Sequence, residues 1–353
     1  MRTLPMGKLP SALLERFLNK IQTKDQSVVL GPAIGEDVAV IRFGNKLLVA
    51  KADPVTLAID LIGWYAVNIN ANDIATLGVK PRWFLASVLL PENSTDKDAE
   101  GILDQILAAC NSLNITLVGG HTEITYGLNR PIIVGCMLAE EEDRPIITTS
   151  GTRIGDDIVL TKGIAIEGTA LLAREVGALL LERELSPVLL KRAANFLFTP
   201  GISVLKEALI ARTHTDVHSM HDPTEGGLAT GLWEVTVAAK VGILVEEDKI
   251  PILPECKEIC DKLGLNPLGL LASGSLIITL SPTDTPGLLS ALKEVGVSAA
   301  VIGRVVKPEE GLKMRTSKGI EPLPQFARDE LARFLETSAQ PAKQRSTRKK
   351  VKA

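Results

Sequence analysis

Two series of apolar, strand-like runs alternating with helical periodicity constrain the fold of this chain more than any other feature. A polar stretch at Ala139–Pro145 and a restart at Ser150–Asp157 separate the two series, so we place a domain boundary near residue 148. Both halves mix strands and helices, which predicts the α+β class, with two α/β-type domains and one sheet in each. The predicted divisions are a segment at 1–29, domains at 30–148 and 149–337, and a tail at 338–353.

Turn residues and periodicity set the expected elements. In the first half, two strands at Val38–Phe43 and Leu47–Ala52 form a hairpin through Gly44-Asn45, and Pro54 marks the exit of the second strand. Its other predicted elements are helices at Ile59–Gly78 and Ala99–Leu113 and strands at Pro81–Leu90 and Ile115–Gly120, the last ending in a glycine pair. The second half is predicted to contain strands at Ile158–Thr161, Asp216–Met220 and Ser275–Leu280 and helices at Thr169–Glu175 and Leu228–Ala239.

Composition narrows the function. A net charge of −3 and only 7 Phe, 3 Trp and 2 Tyr argue against nucleic-acid binding by the body of the protein. The tail at 338–353 holds six basic residues and no acidic one, so we expect it to be disordered; contact with nucleic acid or an acidic partner is the minor alternative. Neither a membrane span nor a signal peptide is apparent. Cys256 and Cys260, although spaced like a metal half-site, are better explained as buried thiols, and we expect a cytoplasmic protein.

The usual phosphate-binding motifs are absent. The chain contains neither a GxGxxG sequence after a strand nor a GxSxG sequence, and its single Gly-Lys pair, Gly7-Lys8, follows no strand and no glycine-rich turn. If this protein handles phosphate, it therefore uses another device.

Acidic residues stand where predicted strands or glycine turns begin or end. Because sites collect at sheet ends and Mg²⁺ prefers oxygen ligands, these acids are candidates for a magnesium site, although each alone also fits a cap or turn. They are Glu36, Asp37, Asp53, Asp73, Glu123, Asp222 and Glu225.

The predicted helix around Asp73 is unusually polar. Three Asn and one Asp fall within the six residues Asn68–Asp73. This costs about 1–2 kcal/mol of helix propensity relative to good helix formers. We favour a polar site over an exposed or bent helix here.

Two weaker candidates remain. His214, His218 and His221 have zinc-like spacing, but in a strand the first two face opposite to the third, so we disfavour a metal site. The predicted helix start at Glu167–Thr169 is equally consistent with phosphate binding by its amides and with an ordinary capped helix.

Six motifs occur in a specific order: GEDVAVI (35–41), NANDIATLGVKP (70–81), GGHTEI (119–124), GDDIVLTKG (155–163), HDPTEGGLATGL (221–232) and LLASGSLIITL (270–280). Together they resemble the AIR synthase (PurM)-like superfamily, and most closely its hydrogenase maturation branch, the HypE proteins. The similarity spans about residues 7–310.

The resemblance implies a PurM-like N-terminal domain that contributes four strands to an eight-stranded β-barrel across a homodimer, and a PurM-like C-terminal α/β domain. It also implies ATP and Mg²⁺ as cofactors, with phosphoryl transfer to an amide-type oxygen of a small or protein-bound carboxamide. The metal ligands would be Asp37, Asp53, Asp73 and Asp222. The catalytic residues would be Asp73, Asp222 and Glu225. The nucleotide neighbours would be Asn72, Thr122, Glu123, Thr224, Gly226 and Gly227.

Three departures weaken a simple HypE assignment. The tail lacks the cysteine that carries the carbamoyl group in HypE proteins, Glu225 replaces an arginine of DPTRGG, and His121 replaces an acid found in several relatives. A small-molecule kinase resembling thiamine-monophosphate kinase is therefore the enzymatic alternative. A non-catalytic nucleotide-binding partner protein is the alternative from another class. The sequence does not name the substrate.

Overall fold

The computed structural model describes residues 4, 6–9 and 11–337, so the basic tail lies outside the described residues. The strands are β1 (Val28–Leu30), β2 (Ala39–Phe43), β3 (Lys46–Val55), β4 (Trp83–Pro91), β5 (Thr116–Thr125), β6 (Ile132–Glu142), β7 (Asp157–Thr161), β8 (Val217–His221), β9 (Gly242–Glu246), β10 (Ile277–Leu280), β11 (Ala299–Val306), β12 (Leu312–Thr316) and β13 (Gly319–Pro322). The helices are α1 (Ser11–Leu18), α2 (Ile62–Ala75), α3 (Asp96–Leu113), α4 (Ile166–Glu175), α5 (Gly177–Glu182), α6 (Pro187–Ala194), α7 (Leu205–His214), α8 (Gly227–Ala239), α9 (Pro254–Leu263) and α10 (Thr285–Glu294), followed by a C-terminal helix at 330–337.

The strands form two sheets. The first has six strands in the order β1-β2-β3-β6-β4-β5, and the second has seven in the order β13-β12-β9-β11-β7-β10-β8. Pairing is antiparallel except between β4 and β5 and between β9 and β12. The first sheet ends at Glu142 and the second begins at Asp157, so the expected boundary near residue 148 falls between them. Two domains of mixed α/β content agree with the predicted α+β class.

Successive side chains of β3 face opposite sides of the sheet, and one of the two rows faces α2. Leu47, Val49 and Val55 are buried on this face, and Lys51 and Asp53 occupy the same face between them. Helix α2 packs between this sheet and α3. A Cβ on Gly63 of α2 would lie 2.7 Å from the Ile102 carbonyl oxygen of α3, so a glycine is needed for this close approach.

The opposite face of the first sheet is half-exposed. The strand β4 alternates strictly between buried and partly exposed residues, which is the pattern of a sheet covered on one side. Val134 on β6, which pairs with Ser87 in the partly exposed row of β4, is 37% exposed. The described residues form an open sheet here, and the barrel expected across a homodimer stays a prediction.

Two expected strand ends are wrong. β3 continues through Pro54 to Val55 because it pairs with β6 along its whole length, and β5 passes through the glycine pair to Thr125. The glycine at 120 lets β5 approach β4 closely and does not form a turn, since a Cβ on Gly120 would lie 1.9 Å from the Ala86 carbonyl oxygen. The expected helix at Ile59–Gly78 is shorter, spanning only the residues of α2. Across the described ranges, none of the helices combines the length and the apolar character that a bilayer crossing requires.

Candidate functional site

Three aspartates from distant parts of the chain converge where the two domains meet. Asp37 precedes β2, Asp73 lies near the end of α2, and Asp222 directly follows β8. One carboxylate oxygen of each lies within 4.8 Å of the others. Asp73 and Asp222 are buried and Asp37 is partly buried. We call these three residues the aspartate cluster.

Two basic side chains compensate the charge of the cluster. Lys51 Nζ lies 3.3 Å from Asp73 Oδ2. His221 lies between two acids, with Nδ1 3.3 Å from Asp37 Oδ2 and Nε2 3.0 Å from Glu234 Oε2. Burial opposes protonation of His221, but its two carboxylate partners raise its pKa well above the ordinary value, so we treat it as an imidazolium.

The carboxyl groups of the cluster differ strongly in acidity. Burial would raise the pKa of Asp37, but His221 and Lys51 outweigh burial and lower it to about 2. Burial together with the charge of Asp37 raises the pKa of Asp222 to about 7. Burial raises the pKa of Asp73 well above its usual value, against the opposing effect of Lys51. The cluster alone therefore holds more negative charge than its two cations stabilise, which favours an additional cation.

The donor atoms fit a hard divalent cation such as Mg²⁺. Both carboxylate oxygens of Asp222 are buried and accept no hydrogen bond from any described residue, and the Lys51 ammonium at 3.3 Å is the cation beside Asp73 Oδ2. Buried carboxylate oxygens without donors are costly unless a ligand binds them. Oxygen ligands from one or a few carboxylates are those that Mg²⁺ uses.

Asp53, the fourth expected ligand, lies beside the cluster but is not one of the three residues that converge. Its backbone is fixed by Asn70, whose Oδ1 accepts from the Asp53 amide at 3.0 Å and whose Nδ2 donates to its carbonyl at 3.3 Å. Burial raises the pKa of Asp53 and Lys51 opposes this. Its role as a metal ligand stays a prediction.

The turn after Asp222 is held by the chain itself. The Thr224 carbonyl accepts from Gly227 N at 3.1 Å, and Gly226 N donates to Asp329 Oδ2 at 2.7 Å. Gly227 has φ +66°, and a Cβ there would lie 2.5 Å from the Leu268 carbonyl oxygen, so this turn needs glycine. Glu225 Oε2 is buried and has no hydrogen-bond partner in the described part of the chain.

Asn72 joins the two domains. Its Nδ2 donates to the Ile202 carbonyl at 2.8 Å, and its Oδ1 accepts from Val204 N at 2.9 Å. Because both ends of the amide are used, the expected contact of Asn72 with a nucleotide is not supported by the geometry. The residue instead holds α2 against the second domain.

Thr122 and Glu123 lie away from the cluster in one protomer. Both are exposed on the edge strand β5, where Glu123 contacts His121 and Thr125. Strands β4 and β6 separate β5 from β3. Three strand spacings amount to about 14 Å, so neither residue reaches the aspartates without a second protomer or a long ligand.

A cavity of about 510 Å³ opens beside the cluster. Asp37 and Gly226 line its inner side, Trp233 and Phe326 supply aromatic surface, and Lys8 of the N-terminal segment lines another side. A large ligand in this cavity would therefore contact Asp37.

Sequence reasoning missed several groups of the site. Lys51 could have been found from the sequence, because it lies two residues after Val49 and therefore on the same, buried face of the strand. Nothing in the local sequence pairs His221 with Glu234. The N-terminus of α4 is less suited to phosphate than its sequence suggests. The amides of Glu167 and Gly168 already donate to the Ser273 and Leu271 carbonyls, at 3.2 and 2.9 Å.

The fold and the site define a two-domain α+β protein with a candidate aspartate metal centre between its domains. The chain belongs to the AIR synthase related family. The N-terminal domain of AIR synthase related proteins matches residues 35–140, and the C-terminal domain matches residues 153–314.

Hydrogenase maturation proteins are among its relatives. A putative hydrogenase expression/formation protein of Methanocaldococcus jannaschii is 29% identical over 89% of this chain and 92% of its own length. Carbamoyl dehydratase HypE of Cupriavidus necator is 30% identical over 73% of this chain and 72% of its own length. A thiamine-monophosphate kinase of Pyrococcus horikoshii is 27% identical over 83% of this chain and 89% of its own length.

Solved structures of HypE share the fold. HypE in the HypE–HypF complex aligns with a TM-score of 0.71 at 20% identity, covering 90% of this chain and 100% of that one. HypE in complex with ATP aligns with a TM-score of 0.69 at 23% identity, covering 90% of this chain and 91% of that one.

Proposed function

We propose that this protein is an ATP- and Mg²⁺-dependent enzyme that activates a carboxamide oxygen by phosphoryl transfer. The observation that carries the proposal is the aspartate cluster, in which one carboxylate oxygen of each residue lies within 4.8 Å of the others. Both Asp222 oxygens lack a hydrogen-bond partner among the described residues, and a cavity of about 510 Å³ lies beside the cluster. HypE, which shares the fold, has been solved with ATP, and relatives named carbamoyl dehydratase support the substrate class.

In this proposal the chain's own residues divide two tasks at the metal. Asp37, Asp73 and Asp222 hold the metal, with Asp53 as an outer member of the set. Lys51 and His221 keep the cluster stable and oriented before the ligand arrives. Bound Mg²⁺ would shield the phosphate charges and polarise the transferred group.

The turn and the cavity hold the remaining substrate groups. Thr224, Gly226 and Gly227 shape the turn that faces the nucleotide, while Glu225 supplies a carboxyl group whose Oε2 has no hydrogen-bond partner among the described residues, at the cavity wall. We assign Glu225 to contact with the substrate. In the activated carboxamide, the oxygen leaves with phosphate, the nitrogen loses two protons and the carbon–nitrogen bond becomes a nitrile, while ATP becomes ADP.

A homodimer is part of the proposal. The outer face of the first sheet leaves the apolar side chain of Val134 exposed near its middle, and a second copy would cover it. Edge strand β5 carries Thr122 and Glu123, so these residues could approach a nucleotide across such an interface.

A kinase that phosphorylates a small molecule is the second candidate. The thiamine-monophosphate kinase relative matches over 89% of its own length, which supports this reaction. Glu225 at the cavity wall would disfavour an anionic acceptor group such as the phosphate of thiamine monophosphate, so a kinase with this residue is expected to prefer an uncharged or cationic acceptor.

Product analysis separates the candidates. The protein is incubated with γ-labelled ATP, Mg²⁺ and either a panel of carboxamides and S-carbamoyl thiols or thiamine monophosphate. Amide activation predicts acceptor-dependent phosphate release without a labelled organic product, and kinase activity predicts a stable labelled product. ATP binding with neither result would favour the non-catalytic partner protein. Asp104→Asn, at an exposed position of α3, is the matched control for Asp73→Asn.

A further inference from the structure

The Gly7-Lys8 pair, which is not a P-loop, lies at the proposed nucleotide site. Lys8 Nζ is 3.0 Å from Glu234 Oε1. The other oxygen of Glu234 contacts His221 Nε2 at 3.0 Å, and His221 Nδ1 is 3.3 Å from Asp37 Oδ2. A continuous series of charged contacts therefore connects the N-terminal segment to the aspartate cluster.

Lys8 is the cation of the cavity that is free to change partners. Its side chain is 46% exposed, whereas that of Lys51 is 15% exposed and is held behind the cluster by Asp73. The other cationic side chain lining the cavity, Arg328, is paired with Glu336. Among the described residues, Lys8 thus combines a position in the cavity with an accessible ammonium group.

The backbone at Gly7 directs the segment toward the site. Gly7 has φ +112°, a conformation that other residues rarely adopt. A Cβ at this position would lie 3.9 Å from Glu225 Oε2, so the segment passes close to the turn after Asp222.

The charge of a bound nucleotide gives Lys8 a reason to change partners. A triphosphate carries more negative charge than one Mg²⁺ neutralises, so its terminal phosphates require a further cation. Lys51 lies on the protein side of the aspartates, and Lys8 approaches from the cavity side. An ammonium group that leaves Glu234 for a phosphate exchanges one charge-assisted hydrogen bond for another.

We propose that Lys8 binds the terminal phosphates of the nucleotide, exchanging Glu234 for a phosphate oxygen when the nucleotide binds. This inference rests on the proposed ATP-binding function. Lys8, which lies outside both sheets, would then contact phosphate as the lysine of a glycine-rich loop does in other nucleotide-binding proteins.

The test measures the binding of MgATP and of AMP by calorimetry for the wild-type protein, Lys8→Met, Lys8→Arg and Lys24→Met. Lys24 is an exposed lysine of the same segment and is the matched control. Losing a charge-assisted hydrogen bond weakens binding about 10- to 100-fold. We expect this loss for MgATP in Lys8→Met, with AMP affinity unchanged, substantial recovery in Lys8→Arg and no effect in Lys24→Met.

Two results would overturn the inference. One is wild-type MgATP affinity in Lys8→Met; the other is an equal loss of MgATP and AMP affinity, which would indicate that Lys8 only anchors the segment. The melting temperature without nucleotide reports the structural contribution of the Lys8–Glu234 pair separately. Failure of the ATP-binding function itself appears differently, as a wild-type protein that binds no MgATP.

Discussion

Lys51 Nζ lies 3.3 Å from Asp73 Oδ2, so the strand β3 supplies a buried cation to an acidic site on helix α2. The contact joins the first sheet to the helix that packs on it. Burial tends to lower the pKa of Lys51, but Asp73 and Asp37 raise it above the usual value, so the ammonium stays charged. Lys51 therefore offsets part of the charge of the cluster before any metal binds.

Replacing Lys51 should make the protein more dependent on metal. Lys51→Met leaves the aspartates without their nearest cation, and breaking such a buried pair should destabilise the metal-free protein by about 3 kcal/mol. Mg²⁺ should restore more stability in the variant than in the wild type. Thermal unfolding with and without MgCl₂ measures this, with Lys46→Met, which removes a surface pair with Glu140, as control. An equal response to Mg²⁺ in variant and wild type would contradict the assignment.

Asp222 should be required for metal-dependent nucleotide binding. Neither of its carboxylate oxygens has a hydrogen-bond partner among the residues described, so Asp222→Asn should disturb the fold little. Removing one charged ligand should weaken MgATP binding on the order of 100-fold. Calorimetry with Mg²⁺ and with EDTA tests this. An Asp222→Asn protein that retains Mg²⁺-dependent affinity would remove Asp222 from the metal site, and Asp104→Asn should bind like the wild type.

Strand ends and glycine turns are recognisable locally, and the acids placed at them include the three that the fold brings together. Asp37, Asp73 and Asp222 do converge, as the placement of acids at element ends suggested. Their compensating cations were not predictable in the same way. His221 and Asp37 lie far apart in sequence, and only the assembled domains bring them into contact.

Helices and strands with a clear local periodicity were predicted better than residues whose role depends on close packing between distant parts of the chain. The glycine pair before His121 suggested a strand end, whereas Gly120 sits in mid-strand because the neighbouring strand leaves no room for a Cβ. Asn72 likewise suggested a ligand contact, but its partners lie in the other domain. Such roles depend on contacts distant in sequence, which residue spacing does not encode.

Glu167 should make stability fall as pH rises. It is 3% exposed, and burial, with repulsion from Asp329 and Glu225 and against a lowering effect of Ser273, raises its pKa to about 8. In the unfolded chain the pKa of this carboxyl is the ordinary glutamate value of about 4.5. The stability contributed by the neutral carboxyl is therefore complete below about pH 4.5 and is lost as the pH rises through about 8.

Glu167→Gln should remove this pH dependence. The variant should match the wild type near pH 5 and exceed it by about 3 kcal/mol near pH 8, measured by urea unfolding. Glu207→Gln is the contrasting variant, because Glu207 is paired with Lys162 at 2.8 Å and its loss should destabilise the protein at both pH values. Parallel pH profiles for Glu167→Gln and wild type would show that Glu167 is ionised when folded.

Asn72 should stabilise the contact between the domains. Asn72→Ala leaves the Ile202 carbonyl and the Val204 amide without partners, which should cost about 2–4 kcal/mol of unfolding free energy. Asn68 is the matched control, since it is similarly buried but, among the described residues, its side chain bonds only to the Trp64 carbonyl in its own helix. Asn68→Ala should cost about 1 kcal/mol. Equal losses for the two variants, measured by urea unfolding, would argue against a domain-joining role.

The outer face of the first sheet should be the dimer interface. Val134 lies on β6, near the middle of this six-stranded sheet, and is 37% exposed in the single chain. Val134→Asp should leave the protomer folded but bury an unpaired carboxylate in the dimer, at a cost of at least about 3 kcal/mol. This cost should raise the dissociation constant of the dimer more than about 100-fold. Leu103→Asp, at a 47% exposed position of α3, introduces the same charge away from the sheet and should leave the dimer intact. Sedimentation velocity over a range of concentrations distinguishes the species. A wild-type monomer, or a Val134→Asp dimer of wild-type affinity, would place the interface elsewhere.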